Sequence, residues 1–312
     1  MLIFHTYNKH NRKNEWDKFA KYALCASEYI SSFFSIPIST RVYLKEKHIP
    51  IKIHLSSNNT VGLDGMGILE NTETNKVIFF SYGDGTGLGD SIKSFFTERP
   101  DSLCCVFKYQ YGKNSKLYQN IKTFPFTYTP SNFEFLDNFV MTVQDLDYDK
   151  KIDRVFFAGK GTSKLRRQLM KNKENLYPNW TVMSKRLSKK DFFSEIQKSR
   201  FCLSLPGHGP NCHREIECFA IGSVVVSPEI PTVYSNPLIP GYHYVAIPYD
   251  MGMPYDTLQE ECHNKIKLID KDMYQFIQNN ALTWFSHNVK LPESVKYVMK
   301  KDYLDYLSKH FI

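Results

Sequence analysis

Arg214 and Glu217 stand three residues apart behind a loop of Pro206, Gly207, His208, Gly209 and Pro210, in the segment FCLSLPGHGPNCHREIECFAIGSVVV that covers residues 201–226. A guanidinium can grip phosphate oxygens in a bidentate fork. A carboxylate offers acceptors to ribose hydroxyls. Three-residue spacing puts both groups on one face of a helix. The start of that helix adds free N–H groups that attract phosphate. The chemistry implied is capture of a diphosphate with its ribose, as a nucleotide-linked sugar carries. The same residues read equally as a surface ion pair behind an ordinary connecting loop.

The elements around the pair favour the first reading. Phe201 to Leu205 is an apolar run, the glycine loop interrupts it, and Gly222 precedes the β-branched run Val224-Val225-Val226. Strand, loop, helix, glycine stop and strand make a βαβ unit of a parallel sheet. Ligands of such sheets bind at the carboxyl ends of the strands. Upstream, Val155-Phe156-Phe157-Ala158-Gly159 reads as another strand, and Arg166 and Arg167 follow the Gly159-Lys160-Gly161-Thr162 turn near a helix start. Either arginine suits a phosphate or a solvated helix face.

The residues carry a family resemblance. From Arg214 to Gly222 the pattern R-x-x-E-x-x-x-x-G, followed by S-V-V-V, resembles the donor-binding segment of exostosin-like glycosyltransferases. It is similar also to the related capsule-associated O-glucosyl/O-xylosyltransferases. The run from Val155 to Gly159, with Arg166 and Arg167 downstream, resembles the element that begins their second domain. Pro237-Leu238-Ile239-Pro240-Gly241-Tyr242-His243-Tyr244-Val245 resembles their "P-L-x-P-x-x-H-Y-V" segment. The resemblance covers about residues 77–310 and is strongest over 155–248; His213 and Pro210 stand where small or aromatic residues are usual.

It implies an α/β chain of the GT-B type, two Rossmann-like domains facing a cleft. Residues 1–150 would bind the acceptor, 151–290 the nucleotide sugar, and 291–312 would form a helix crossing back to the first domain. The donor would touch Gly159, Arg166, Arg167, Pro206, Gly207, His208, Gly209, His213, Arg214 and Glu217. The implied activity is transfer from a nucleotide sugar, UDP-linked by preference, to a glycan or glycolipid acceptor. No cofactor beyond that donor is expected. A non-catalytic nucleotide- or carbohydrate-binding protein is the alternative.

Transfer with inversion needs a base for the acceptor hydroxyl. Asp84, in Tyr82-Gly83-Asp84-Gly85 after the buried run Val77-Ile78-Phe79-Phe80, is the candidate, with Asp64 and Asp90 behind it; it reads also as a turn residue. The Asp145-x-Asp147-x-Asp149 series suggests a metal-binding D-x-D but sits in a charged linker, and His208, Cys212 and His213 lack a fourth zinc ligand. No metal is expected, and transfer should survive chelation. His243 and Glu215 remain open between pocket and structural roles.

The rest of the chain sets bounds. Among 312 residues, 42% are hydrophobic and 23% charged, as in a folded protein. The net charge of +8 suits anionic donors, acidic glycans or peripheral contact with an anionic membrane, and equally a lysine-rich exterior. Neither zinc-finger spacing nor a basic repeat points to nucleic acid. The 7 cysteines are odd in number and several sit in apolar runs, as reduced buried thiols do. The apolar start is too short for a signal peptide and no 18-residue apolar span follows, which predicts a cytoplasmic location. Periodicity predicts an early helix over 15–34, strands at 77–80 and 102–107, and strand–helix alternation from 154 to 227, with a helical tail.

Overall fold

A computed structural model describes residues 1–9, 17–45, 51–56, 60–63, 66–81, 88–108, 111, 121–126, 136, 139, 147–184, 187–207, 212–230, 232–248 and 254–312. Asp64, Asp84, Asp145, His208 and Gly209 lie outside them. The chain is α/β and divides into two compact units. One holds Met1–Ser131, Val233–Asn236 and His287–Ile312; the other holds Asn132–Thr232 and Pro237–Ser286. The chain thus divides near 131 rather than 150. The capped 3-10 turn at Tyr148–Lys150 goes with the second unit, where the Tyr148 ring packs 5.0 Å from that of Tyr274.

The first unit is built from β1 (Leu2–Lys9), α1 (Asp17–Phe34), β2 (Ile38–Lys45), β3 (Ile51–His54), β4 (Thr60–Leu63), β5 (Met66–Asn71), β6 (Lys76–Ser81), α2 (Asp90–Glu98), β7 (Leu103–Lys108) and β8 (Thr123–Pro125). Its main sheet runs β2-β1-β5-β6-β7-β8. Every neighbouring pair is parallel except those made by β5, which is antiparallel to β1 and β6. The four residues 72–75 between β5 and β6 are too few for a crossover, so the pair must form a hairpin. One face buries Ile53, Leu55, Ile68, Phe79, Ile92, Phe95 and Val106. An aromatic chain crosses the sheet, Phe80 to Phe107 at 5.4 Å, Phe107 to Phe124 at 5.3 Å, and Phe124 to Tyr303 at 4.4 Å between ring centres.

Tyr303 belongs to the last helix, which buries Leu304 and Leu307 beside it, and Asn71 Nδ2 donates to the Phe311 carbonyl at 2.9 Å. The C-terminal segment is therefore part of the first unit.

The second unit alternates strand and helix: β9 (Ile152–Ala158), α3 (Lys164–Lys171), β10 (Trp180–Met183), α4 (Lys189–Lys198), β11 (Ser199–Leu203), α5 (His213–Ile221), β12 (Val224–Pro228), β13 (Val245–Ile247), α6 (Tyr255–Lys267) and α7 (Lys271–Asn288). The sheet order is β10-β9-β11-β12-β13 and every described pair is parallel. Local signals start and stop these helices. Ser163 and Ser188 cap α3 and α4 through their hydroxyls, and Gly222 ends α5 at φ 74, a left-handed conformation that glycine adopts without steric cost. Val224, Val225 and Val226 are all buried, as expected of a strand covered on both faces. Leaving β9, the chain goes first to β10 on one side, then returns to β11 on the other. The order reverses between β9 and β11, and ligands of open α/β sheets bind outside the carboxyl ends of the strands at such a point.

Candidate functional site

Two loops meet at that reversal: 159–163 after β9, and the residues after Leu203 that end at α5. Each leads to a helix whose first turn carries a buried arginine. Arg166 is 7% exposed and Arg214 6%.

Their side chains flank one ring. The Arg214 guanidinium carbon lies 4.5 Å from the centre of Phe157 and that of Arg166 lies 6.0 Å from it. Such stacking keeps a weakly hydrated cation in place without a counter-charge. Arg166 is anchored further: Nε donates to the Leu205 carbonyl at 3.0 Å, Nη1 to Thr162 Oγ1 at 3.3 Å, and Nη2 to Cys212 Sγ at 3.2 Å. Burial pulls its pKa down, the Cys212 thiol opposes this, and the Arg214 charge adds to the lowering.

Arg214 differs. Nη2 donates to the Ala158 carbonyl, whereas Nε and Nη1 are buried without a hydrogen-bond partner among the described residues. Two unpaired charged donors are costly, and native proteins keep them where a ligand completes the set. Gly159 makes the arrangement possible. A Cβ there would stand 2.8 Å from Arg214 Nη2, so any larger residue displaces the guanidinium. At Gly207 a Cβ would be 3.5 Å from the Arg166 guanidinium, an ordinary contact, so described atoms impose no demand for glycine there.

Glu215 lies beneath the two cations, 3% exposed, at the third position of α5. Oε1 accepts from Ser204 Oγ at 3.0 Å, and Oε2 has no partner among the described residues. Burial raises its pKa from 4.5 to about 7; the Ser204 hydroxyl, the Cys212 backbone N–H and both guanidinia pull the other way. A half-neutral carboxyl within electrostatic reach of two arginines leaves this cluster net cationic near neutral pH. The arrangement can therefore hold an anion through charge-assisted hydrogen bonds and shield it from water.

The other sequence candidates fall into place around this centre. Glu217 is buried on α5, so burial of both Arg214 and Glu217 removes the surface-ion-pair reading. His213 opens α5, half-buried, and Pro206 and Gly207 are half-buried after β11. Arg167 is not brought in: it is exposed and its Nη1 donates to the Gly161 carbonyl at 3.0 Å. His243 is structural. Its Nδ1 accepts from the Ile239 N–H at 2.8 Å, and burial lowers its pKa to about 4, which keeps it neutral. Asp90 is an exposed first-turn residue 3.2 Å from Lys93. Asp147 caps the turn at Tyr148–Lys150 and Asp149 pairs with Lys271, so both spend their oxygens locally. Among the described residues no group of three or more His, Cys, Asp or Glu is placed to hold a metal. No helix there is long and apolar enough to cross a membrane.

Sequence reasoning missed Phe157 as the platform, though strand alternation puts it and Phe156 on opposite faces. It also missed Lys108, which closes the apolar run Leu103-Cys104-Cys105-Val106-Phe107 at a strand's carboxyl end. A lone cation in that position is a legible signal.

The sequence matches no protein-family model and no curated protein. Two solved structures are similar in outline. A glycosyltransferase from Rickettsia africae ESF-5 aligns over 98% of this chain and 97% of its own, with TM-score 0.47 and 10% identity. The pneumococcal O-GlcNAc transferase GtfA, solved in complex with UDP and GlcNAc, aligns over 71% of this chain and 47% of its own, with TM-score 0.38 and 9% identity. This chain thus spans under half the length of GtfA. At these values, function rests on this chain's own residues.

Proposed function

We propose that the chain is a glycosyltransferase, whose nucleotide-sugar donor binds in the crevice outside the carboxyl ends of β9 and β11. The observation that carries this reading is Arg214, buried at the sheet's reversal point with Nε and Nη1 unpartnered among the described residues. Arg214 and Arg166 would clamp the diphosphate, and Glu217 would accept from the ribose hydroxyls. The negative charge that develops on the departing nucleotide then meets cations already fixed in place. Preorganised donors of this kind give the largest single contribution in many transfer reactions. Because arginines neutralise the diphosphate, no divalent ion is needed, and EDTA should leave turnover unchanged.

The remaining parts of the proposal come from the sequence. Asp84 is the base that would take the acceptor hydroxyl's proton, giving inversion. The donor is UDP-linked and the acceptor a glycan or glycolipid. The exostosin-like resemblance, strongest over residues 155–248, supports this assignment.

A panel of nucleotide sugars tests the donor. A ligand that binds only the native state raises the melting temperature, and hydrolysis of the same donor without acceptor reports catalysis. Stabilisation by UDP-sugars, lost in Arg214→Ala, is the expected result. Binding without hydrolysis or transfer to any acceptor would make the chain a binding module instead. Absence of stabilisation by every nucleotide and nucleotide sugar would overturn the site.

A further inference from the structure

Lys108 ends β7 at the carboxyl edge of the first unit's sheet. It pairs in register with Ser81 of β6 and Pro125 of β8, and its carbonyl accepts from the Phe126 N–H at 3.0 Å. Parallel register puts the Lys108 and Ser81 side chains on one face, in line with Val106 and Phe79 of the buried cluster. Its ammonium is in an unusual state. The residue is 0% exposed, and Nζ has no hydrogen-bond partner among the described residues. Burial lowers its pKa to about 8. An ammonium has three donors and is strongly hydrated in water. Burying one unpaired costs far more than a lysine-to-methionine change would, because an apolar chain of similar length would fill the space without that penalty.

Two facts say what such a group is for. It lies at the sheet edge where open α/β sheets take their ligands. It also pairs in register with Ser81, whose hydroxyl is a second donor on the same face. We infer that Lys108 is an anion-binding residue of the first unit, taking one oxyanion, a carboxylate or a phosphate, from a ligand held outside the carboxyl ends of β6 and β7. The flexible four-carbon stem lets the ammonium meet that oxyanion at the edge. If the chain transfers sugars, the ligand is the acceptor, and the acceptor is acidic; only that last step rests on the transferase reading.

The test follows Lys108 directly in the intact wild-type protein, through its side-chain carbon and nitrogen resonances, assigned by their loss in Lys108→Met. Inorganic phosphate, glucuronate and neutral glucose are titrated in turn. A saturable shift at Lys108 with an anion, and none with glucose, is expected. Phosphate alone would mark a phosphate-bearing ligand, and glucuronate alone an acidic sugar. The Ser81 and Phe126 amides should follow the same titration, and in Lys108→Met their response should weaken about 10- to 100-fold, the scale of a hydrogen bond to a charged group. The ligand-free Lys108→Met protein should melt higher than wild type. No saturable shift with either anion, undiminished binding in Lys108→Met, or a lower melting temperature from loss of a structural partner would each overturn the inference. None of these readings depends on turnover or on Arg214, so they stand apart from the fate of the donor site.

Discussion

Both main sheets carry buried cations at their carboxyl edges, yet the two edges treat burial in opposite ways. In the second unit Arg166 and Arg214 are stacked on Phe157 and tied to the carbonyls of Leu205 and Ala158. In the first unit Lys108 is buried with no hydrogen-bond partner among the described residues. The difference follows from the side chains. A guanidinium has five donors, so it can spend some on backbone carbonyls and still present others, and it stays charged when buried. An ammonium carries its charge at one point and gives way to burial by losing affinity for its proton. The arginine edge is thus a fixed cationic clamp, and the lysine edge a charge that depends on what it meets.

The harshest way to break this comparison is to remove the clamp's open arm. Arg214→Ala should lower transfer by about 100- to 1,000-fold, roughly 3 kcal/mol of transition-state stabilisation. Donor-stimulated stabilisation should vanish with it. Wild-type turnover in this variant would leave the second unit's edge with no catalytic claim.

Glu215 sharpens the comparison on the acid side. Its folded pKa, about 7, lies above the ordinary 4.5, so the native state holds this proton more tightly than the unfolded chain. Its contribution to stability is complete below pH 4.5, declines as pH rises through the interval to about 7, and is gone above it. The shift corresponds to roughly 3 kcal/mol as an upper scale. Glu215→Gln keeps the Ser204 hydrogen bond and removes the titration. The variant should therefore gain stability over wild type between pH 4.5 and 7 and hold that gain above it, as denaturant unfolding at several pH values would show. Equal pH profiles for the two proteins would mean the carboxyl is ionised and satisfied in the native state.

The two units also differ in how far the sequence disclosed them. In the second, strands read as near-continuous apolar runs and helices are bounded by Ser163, Ser188 and Gly222, so periodicity predicts nearly every element within two residues. Fully buried parallel strands have no polar face to confuse the pattern. In the first unit β1 and β5 escape notice. Their residues look too polar for a core, because His5 and Glu70 satisfy each other inside it, Nε2 to Oε2 at 2.9 Å, with Tyr43 Oη 3.0 Å from the His5 ring. A buried polar pair hides a strand from any reading that equates polarity with exposure. At the candidate site, spacing put Arg214 and Glu217 on one helix, and both are buried on α5. The choice between Arg166 and Arg167 was not legible, since adjacent helix positions differ by 100° in direction and only the packed structure says which faces inward.

Gly159 offers a gentler probe of the clamp. A Cβ at this position would reach 2.8 Å from Arg214 Nη2. Gly159→Ala should push the guanidinium aside while meeting the Phe157 ring at 3.4 Å, an ordinary contact, and small misplacements of a positioning group cost about 10- to 100-fold in rate. The expected signature is a loss of turnover with a melting temperature close to wild type. Unchanged turnover would show that Arg214 can yield to the methyl without leaving its ligand.

The smallest effect is expected one residue from a large one. Arg166 and Arg167 are neighbours in sequence, both follow the same glycine turn, and both suit a phosphate role. Arg166 is buried, with three of its nitrogens tied to Leu205, Thr162 and Cys212. Arg167 is exposed and its Nη1 donates to the Gly161 carbonyl. Removing an exposed side chain with one such contact changes stability by less than about 0.5 kcal/mol. If the buried edge alone binds the donor, Arg167→Ala should match wild type in both donor affinity and turnover, while Arg166→Ala loses both. Titrating UDP by calorimetry against the two variants decides it. A large loss in Arg167→Ala would mean that phosphate is held on the outer face of α3, and the buried pair on Phe157 would then be a structural brace between β9, β11 and α5.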